Sequence, residues 1–431
     1  MKHNGMNRRN LHTAQASSYP NNESRNPTAR RRVLIAAVLS LLTLAACPLR
    51  SHATQPESLA SIEARAKAGD TRAEYNLGVL YLLGKGVQQD STAAAAWIGK
   101  SADQGYAPAE FDLGLLNLNG QGVPENDQQA ASLLRKAADQ GYAEAQRNLA
   151  VLYVRGQGVP QDDTQAALWF LKAAAQGNQR AQLNLGILNL NGQGVPQDDA
   201  LAAIWFRKAA EQGDPLAQAN LAEMYLHGKG LAQDYVQAAS WYRKAADQGS
   251  ALAQYNLGLL NIYGQGVPHD DAQAVIWLRG AAEQGHAKAQ YYLGHMYLKG
   301  QGVSQDYAQA ALWFRKAAEQ GIALAQTNLG QLYVDGHGVP QSYQEAFAWF
   351  LKAADQNEPF AQGSLAVMYA KGQLNPANPA QEIMWLTLAS EKISAAKTYL
   401  DEISKKMPPE QIAEGRRLTQ QWLAAHPQEA Q

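Results

Sequence analysis

Apolar residues in this chain recur at helical spacing inside short segments, and the segments themselves repeat. Ala73, Leu77, Leu80 and Tyr81 form the first such set, whose spacing predicts a helix from about Arg72 to Leu82. A second apolar segment follows around Trp97, and the pair then returns every 36 residues. Trp97, Trp169, Trp205, Trp241, Trp277, Trp313, Trp349 and Trp385 share this grid, with Leu133 at the one position lacking a tryptophan. A Gly-x-Gly pair keeps the same period from Gly84/Gly86 to Gly336/Gly338 without drift. A fixed period of this length marks stacked repeats and overrides any domain count taken from the 431 residues.

Each unit reads as helix, tight loop, helix. The two loop glycines supply the positive φ angles that reverse the chain. An N-cap acceptor then recurs at Asp90, Asn126, Asp162, Asp198, Asp234, Asp270, Asp306, Ser342 and Asn378. Three residues on, Gln129, Gln165, Gln237, Gln273, Gln309, Glu345 and Gln381 complete a capping-box pattern. The second helix is predicted to close on a left-handed C′ glycine, from Gly105 to Gly321, with Asn357 in the eighth copy. Gly78, Gly114, Gly186, Gly258, Gly294 and Gly330 fall inside the first helix, where glycine costs up to about 1 kcal/mol against alanine. Their recurrence predicts close helix–helix approach. The tryptophan column is expected to be the large knob between neighbouring hairpins, in preference to a ligand-binding aromatic box.

The unit A-Q-x-N-L-G-x-L-Y-x-x-G-x-G-V-P-Q-D-x-x-x-A-x-x-W-F-x-K-A-A-x-Q-G resembles the Sel-one-like repeat (SLR), a longer relative of the tetratricopeptide repeat, over roughly residues 57–391. The resemblance implies an all-α fold, a right-handed α/α superhelical solenoid of helical hairpins. The boundaries expected are a leader over 1–53, an N-terminal capping helix over 54–69, and eight repeats over 70–358. A degenerate ninth repeat over 359–391, with Leu374 in place of its second loop glycine, and capping helices over 392–431 complete the chain. Glu57 to Ala68 reads as the first cap. At the other end, helices over about Glu391–Lys406 and Pro409–Ala425 are expected to cover the last repeat through Ile412, Leu418 and Trp422.

The first 53 residues read as an export leader. Arg30, Arg31 and Arg32 precede an uncharged stretch from Val33 to Ala46, the length of a signal-peptide core and short for a bilayer span. Leu44-Ala45-Ala46-Cys47 resembles a lipobox, which makes Cys47 a candidate lipidation site; Ser51-His52-Ala53 resembles an ordinary cleavage site. Both routes stay open, with the periplasm or an outer-membrane lipoprotein as the destination and Cys47 as the sole membrane attachment. Residues 1–46 hold seven of the 37 Lys and Arg but one of the 38 Asp and Glu, so processing leaves a net charge near −7. That sign argues against a nucleic-acid partner. No cysteine follows Cys47, so packing without disulfides must hold the fold.

Catalytic motifs are absent: no H-E-x-x-H, G-x-S-x-G or Walker loop. Ser394-Ala395-Ala396-Lys397 matches S-x-x-K, yet lacks S-D-N and K-T-G partners. The histidines His227, His269, His286, His295 and His337 show no metal-ligand spacing and read as solvated surface residues. The chain is therefore expected to be a non-enzyme with no cofactor and no metal.

One column invites a binding role. Asn76, Asn148, Asn184, Asn220, Asn256 and Asn328 share a first-helix position, with Asp112, Tyr292 and Ser364 elsewhere. In tetratricopeptide-type superhelices this position resembles the one lining the concave groove, where an amide ladder grips a peptide backbone. The alternative is that each amide ties its own helix to a neighbouring loop. Flanking columns vary, including Tyr75, Phe111, Arg147, Leu183, Ala219, Tyr255, Tyr291 and Thr327, with Tyr255 and Tyr291 as further groove candidates. The reading is an exported scaffold that binds a protein or peptide ligand. Two alternatives come from the resemblance: a β-lactamase-like or penicillin-binding hydrolase, as linked to a cysteine-rich branch, and a secreted factor engaging host proteins. Asn117, Asn189 and Asn261 also replace a tyrosine in alternate copies, an exchange the sequence does not explain.

Overall fold

A computed structural model describes residues 58–373 and 377–426; the leader, Cys47 and Leu374 lie outside the described residues. These residues form 21 helices and no strand. They divide into two compact units, one ending at Gln161 and the other starting at Asp162. The first unit holds α1 (Leu59–Lys67), α2 (Thr71–Leu83), α3 (Ser91–Asp103), α4 (Ala107–Asn119), α5 (Asp127–Asp139) and α6 (Ala143–Arg155). The second begins with α7 (Asp163–Ala175), α8 (Gln179–Asn191), α9 (Asp199–Glu211), α10 (Pro215–His227), α11 (Tyr235–Asp247) and α12 (Ala251–Tyr263). It continues through α13 (Asp271–Glu283), α14 (Ala287–Lys299), α15 (Tyr307–Glu319), α16 (Ala323–Asp335), α17 (Tyr343–Ala354) and α18 (Pro359–Lys371). It closes with α19 (Pro379–Ser390), α20 (Ser394–Ser404) and α21 (Pro409–Ala425).

The hairpins follow from local chemistry. All nine expected N-cap residues, Asp90 to Asn378, accept a hydrogen bond from a backbone N–H of the helix they start. The return half of the capping box is replaced. In eight copies the cap's own N–H goes to a carbonyl near the end of the preceding first helix, as Asp234 N–H does to Tyr225 at 2.9 Å. That donor is spent closing the loop, so the third-position glutamine is released from it. Asn357, at φ 57, is the one described non-glycine with positive φ, and it sits where a C′ glycine stands in other copies.

Packing explains the glycines and puts the tryptophans at the edge of the core between hairpins, Trp241 against the clusters of two successive ones. A Cβ on Gly186 would lie 2.6 Å from the Phe206 ring, and the other helical glycines of the column face the equivalent residue of their own second helix at 2.6 to 3.0 Å. That residue, one after the tryptophan grid, is the fully buried knob: Phe170, Phe206 and Tyr242 are each 0% exposed. The tryptophans sit further out. Trp169, Trp205, Trp313 and Trp385 are buried, whereas Trp97, Trp241, Trp277 and Trp349 are only half-buried. Six carry a lysine ammonium over the ring, from Lys244 at 3.8 Å to Lys316 at 4.4 Å. The ring buries one face and offers the other to a cation.

The second loop glycine does more than turn. A Cβ on Gly230 would stand 2.2 Å from the Asp199 carbonyl oxygen, at the start of the preceding hairpin's second helix. At Gly86 nothing closer than a Leu59 methyl at 3.8 Å is met. At the C-terminal end Trp422 packs edge-on against Trp385 with ring centroids 4.7 Å apart. Gly415 lets α21 approach so closely that a Cβ would meet Ile383 at 2.5 Å.

Candidate functional site

The first helices carry two amide columns two residues apart, about 200° around the helix and therefore on opposite sides. One is the glutamine column, which the motif pattern alone does not single out. Gln218 is 4% exposed; its amide donates to the Ala210 carbonyl at 3.1 Å, and its oxygen accepts from Gln248 of the next hairpin at 2.9 Å. Gln182 and Gln212, Gln290 and Gln320, and Gln326 and Gln356 pair likewise, thirty residues apart. In the first unit Glu74 and Glu110 take the acceptor role from Gln104 and Gln140 at 2.7 Å. This ladder ties successive hairpins together.

The asparagine column is looser. Asn76 is exposed and Asn184 half-buried, and neither side chain bonds a described residue. Asn148 and Asn220 donate back to the carbonyls of Glu144 and Leu216 on their own helices, both at 2.9 Å. Asn328 lies within hydrogen-bond reach of the Tyr291 hydroxyl. Asn256 is buried, and its amide nitrogen has no partner. No amide of the column is seen tying its helix to a loop; the local bond is to the helix itself.

The flanking column is partly core. Phe111, Leu183 and Ala219 are buried, so their variation reflects packing and not a surface. Tyr255 and Tyr291 remain half-buried within an aromatic group of the second unit. Tyr255 stacks on His286 at 4.6 Å and stands 5.9 Å from Tyr292, which meets Tyr291 edge-on at 5.3 Å. His286 is thereby not a solvated histidine: its Nδ1 accepts from Ala289 N–H at 3.2 Å, and burial lowers its pKa, as it does for His295. His227, His269 and His337 are exposed, as expected.

In the first unit Tyr75 donates to Asp112 Oδ2 at 2.8 Å. Asp112 is 8% exposed, and burial, opposed by that bond, pushes its carboxyl up to about 6. Four of the tyrosines that alternate with asparagine take an arginine partner. Tyr225, Tyr297 and Tyr333 accept from Arg207, Arg279 and Arg315, eighteen residues earlier, at 2.8, 2.8 and 2.5 Å, and Tyr153 pairs with Arg135. Gly99 and Leu171 stand eighteen residues ahead of Asn117 and Asn189. Arg243, ahead of Asn261, instead lies 4.9 Å from the Trp277 ring. Each of these buried asparagines donates to its own helix at 2.8 Å.

Ser394 and Lys397 are exposed on α20. No group of His, Cys, Asp or Glu among the described residues could hold a metal. No helix there is long and apolar enough to cross a membrane.

These hairpins and ladders define an all-α solenoid of the scaffold class. The Sel1 repeat profile matches nine consecutive segments, from 71–106 through 359–393, and the chain belongs to the Sel1 repeat family. Among solved structures it is similar to c5321, a protective antigen of uropathogenic Escherichia coli displaying an SLR fold. The identity is 30%, over 94% of this chain and 98% of that one, with a TM-score of 0.62. A Sel1 repeat protein from Oxalobacter formigenes is 35% identical over 77% of this chain and 99% of that one, with a TM-score of 0.56. No curated protein matches. Sel1 repeats are typically non-catalytic scaffolds for protein–protein interaction.

Proposed function

We propose that this chain is an exported scaffold that grips an extended protein segment along the asparagine-bearing side of its first helices. The observation that carries the reading is the division of labour between the two amide columns. Glutamines hold hairpin to hairpin, whereas Asn76 and Asn184 bond no described residue and Asn148 and Asn220 bond only within their own helices. An amide can donate to one peptide carbonyl and accept from one peptide N–H, and each such bond adds about 0.5–1.5 kcal/mol, so a column acts by repetition. The uncharged stretch Val33–Ala46 behind Arg30–Arg32 supports export, with the periplasm or a lipid anchor at Cys47 as the destination.

The test is the double variant Asn184→Ala/Asn220→Ala, read by melting temperature and by capture of envelope proteins. Capture is expected to fall while the melting temperature moves by no more than a degree or two. A collapse of stability with unchanged capture by the folded fraction would sink the assignment. Cell fractionation checks the location, and recovery in the cytoplasm would contradict it.

A further inference from the structure

Because the unit repeats, every position can be compared with its counterparts in other copies, and departures from the column's chemistry stand out. Three of them, Tyr106, Asp112 and Tyr142, meet in the first unit, while Tyr292, Ile322 and Ser364 lie in the second. The column that is asparagine in six copies is Asp112 here. The position opening each first helix caps it through a side chain at Asp70, Asn178, Asp214, Ser250, His286 and Glu358. Tyr106 and Tyr142 occupy that position ahead of α4 and α6 and give no such cap. Their rings pack sideways instead: Tyr106 edge-on to Tyr75 at 5.4 Å, and Tyr142 edge-on to Phe111 at 5.3 Å.

The carboxylate at the centre is under-supplied. Its one hydrogen bond comes from Tyr75, and no lysine or arginine of the described residues pairs with it. The Asp112 charge is felt at Tyr142, whose hydroxyl is pushed up to about 12, mainly by burial. A nine-tenths buried anion without a counter-charge is unfavourable, and the fold has no need of it, since asparagine serves the same place in six other copies. A local departure that lowers stability, at a place its own repeat fills otherwise, is the kind of exception that functional sites carry. What the place lacks is a cation. Tyrosine rings beside a carboxylate suit one, because ring faces and hydroxyl oxygens are electron-rich.

We propose that Asp112, framed by Tyr75, Tyr106 and Tyr142, receives a lysine or arginine side chain of the bound segment. This rests on the reading of the chain as a peptide-binding scaffold and specifies one position of its ligand. The basic side chain enters as the missing partner of a charge-assisted hydrogen bond to the carboxylate.

The experiment is selection of a random dodecapeptide phage library on the purified chain and on Asp112→Asn. That variant restores the residue found in six copies, so it folds, with an unchanged or raised melting temperature as the check. Peptides selected on the native chain are expected to share a basic residue at one fixed position, and those selected on Asp112→Asn to lose it. Replacing the arginine of a selected peptide by citrulline should weaken binding to the native chain about tenfold or more and leave the variant's binding unchanged. Selected peptides with no basic position, or with one that persists on Asp112→Asn, would overturn this inference and leave the scaffold reading standing. Should neither chain select any peptide, the scaffold reading fails and this inference with it.

Discussion

The two sides of the first helices use the same functional group for different ends. On one side Gln218 is almost wholly buried, donates to Ala210 and accepts from Gln248; two residues on, Asn220 is half-buried and bonds only its own helix. A buried amide must find partners in the protein, so the glutamine side is committed to the fold. An amide that reaches solvent can exchange water for a ligand, so the asparagine side is less committed to the fold. The same contrast separates Gly230, pressed on the backbone of the preceding hairpin, from Gly86, which meets only a methyl group. Position in the stack, not residue type, decides which columns are structural.

Five substitutions sharpen that contrast. Phe206→Ala removes the buried knob against Gly186 and should cost about 3–5 kcal/mol by urea unfolding. Gly230→Ala places a methyl group on a backbone carbonyl at positive φ and should cost at least about 2 kcal/mol. Gly86→Ala, with the same φ strain but open space, should cost visibly less. Asp112→Asn should act in the opposite direction. The folded carboxyl holds its proton up to about 6 against an ordinary 3.8, so the folded chain binds more protons in that window and loses stability as pH rises through it. Removing the group should therefore stabilise the chain by up to about 3 kcal/mol at pH 7, with the gain falling below about 1 kcal/mol by about pH 4. Equal stability of the two chains at both pH values would contradict the buried, uncompensated charge. Arg207→Met, which breaks the Tyr225 pair at a partly exposed site, should cost less than about 1 kcal/mol.

Much of this architecture is legible in the amino-acid sequence. N-caps, C′ glycines and the helical glycine column obey local rules, so Asp90 through Asn378, Asn357 and Gly186 can be read one residue at a time. The glutamine ladder cannot, because its partners lie thirty residues apart and meet only when one hairpin stacks on the next; the recurrence of both glutamines is its signal. Trp205 and Phe206 are equally apolar, and a 100° step between neighbours decides which one is buried completely. His286 reads as a surface residue in sequence because its stacking on Tyr255 joins two hairpins. Asp112 is visible as an exception in its column, but the tyrosines around it come from separate positions of the unit and converge only in three dimensions.

The claim that fold and binding occupy opposite sides of the first helix is tested most directly on α10. Gln218→Ala and Asn220→Ala would be compared by urea unfolding under identical conditions. Loss of about 1–3 kcal/mol for Gln218→Ala and of no more than about 0.5 kcal/mol for Asn220→Ala is the predicted result. Equal losses, or the larger loss at Asn220, would contradict it.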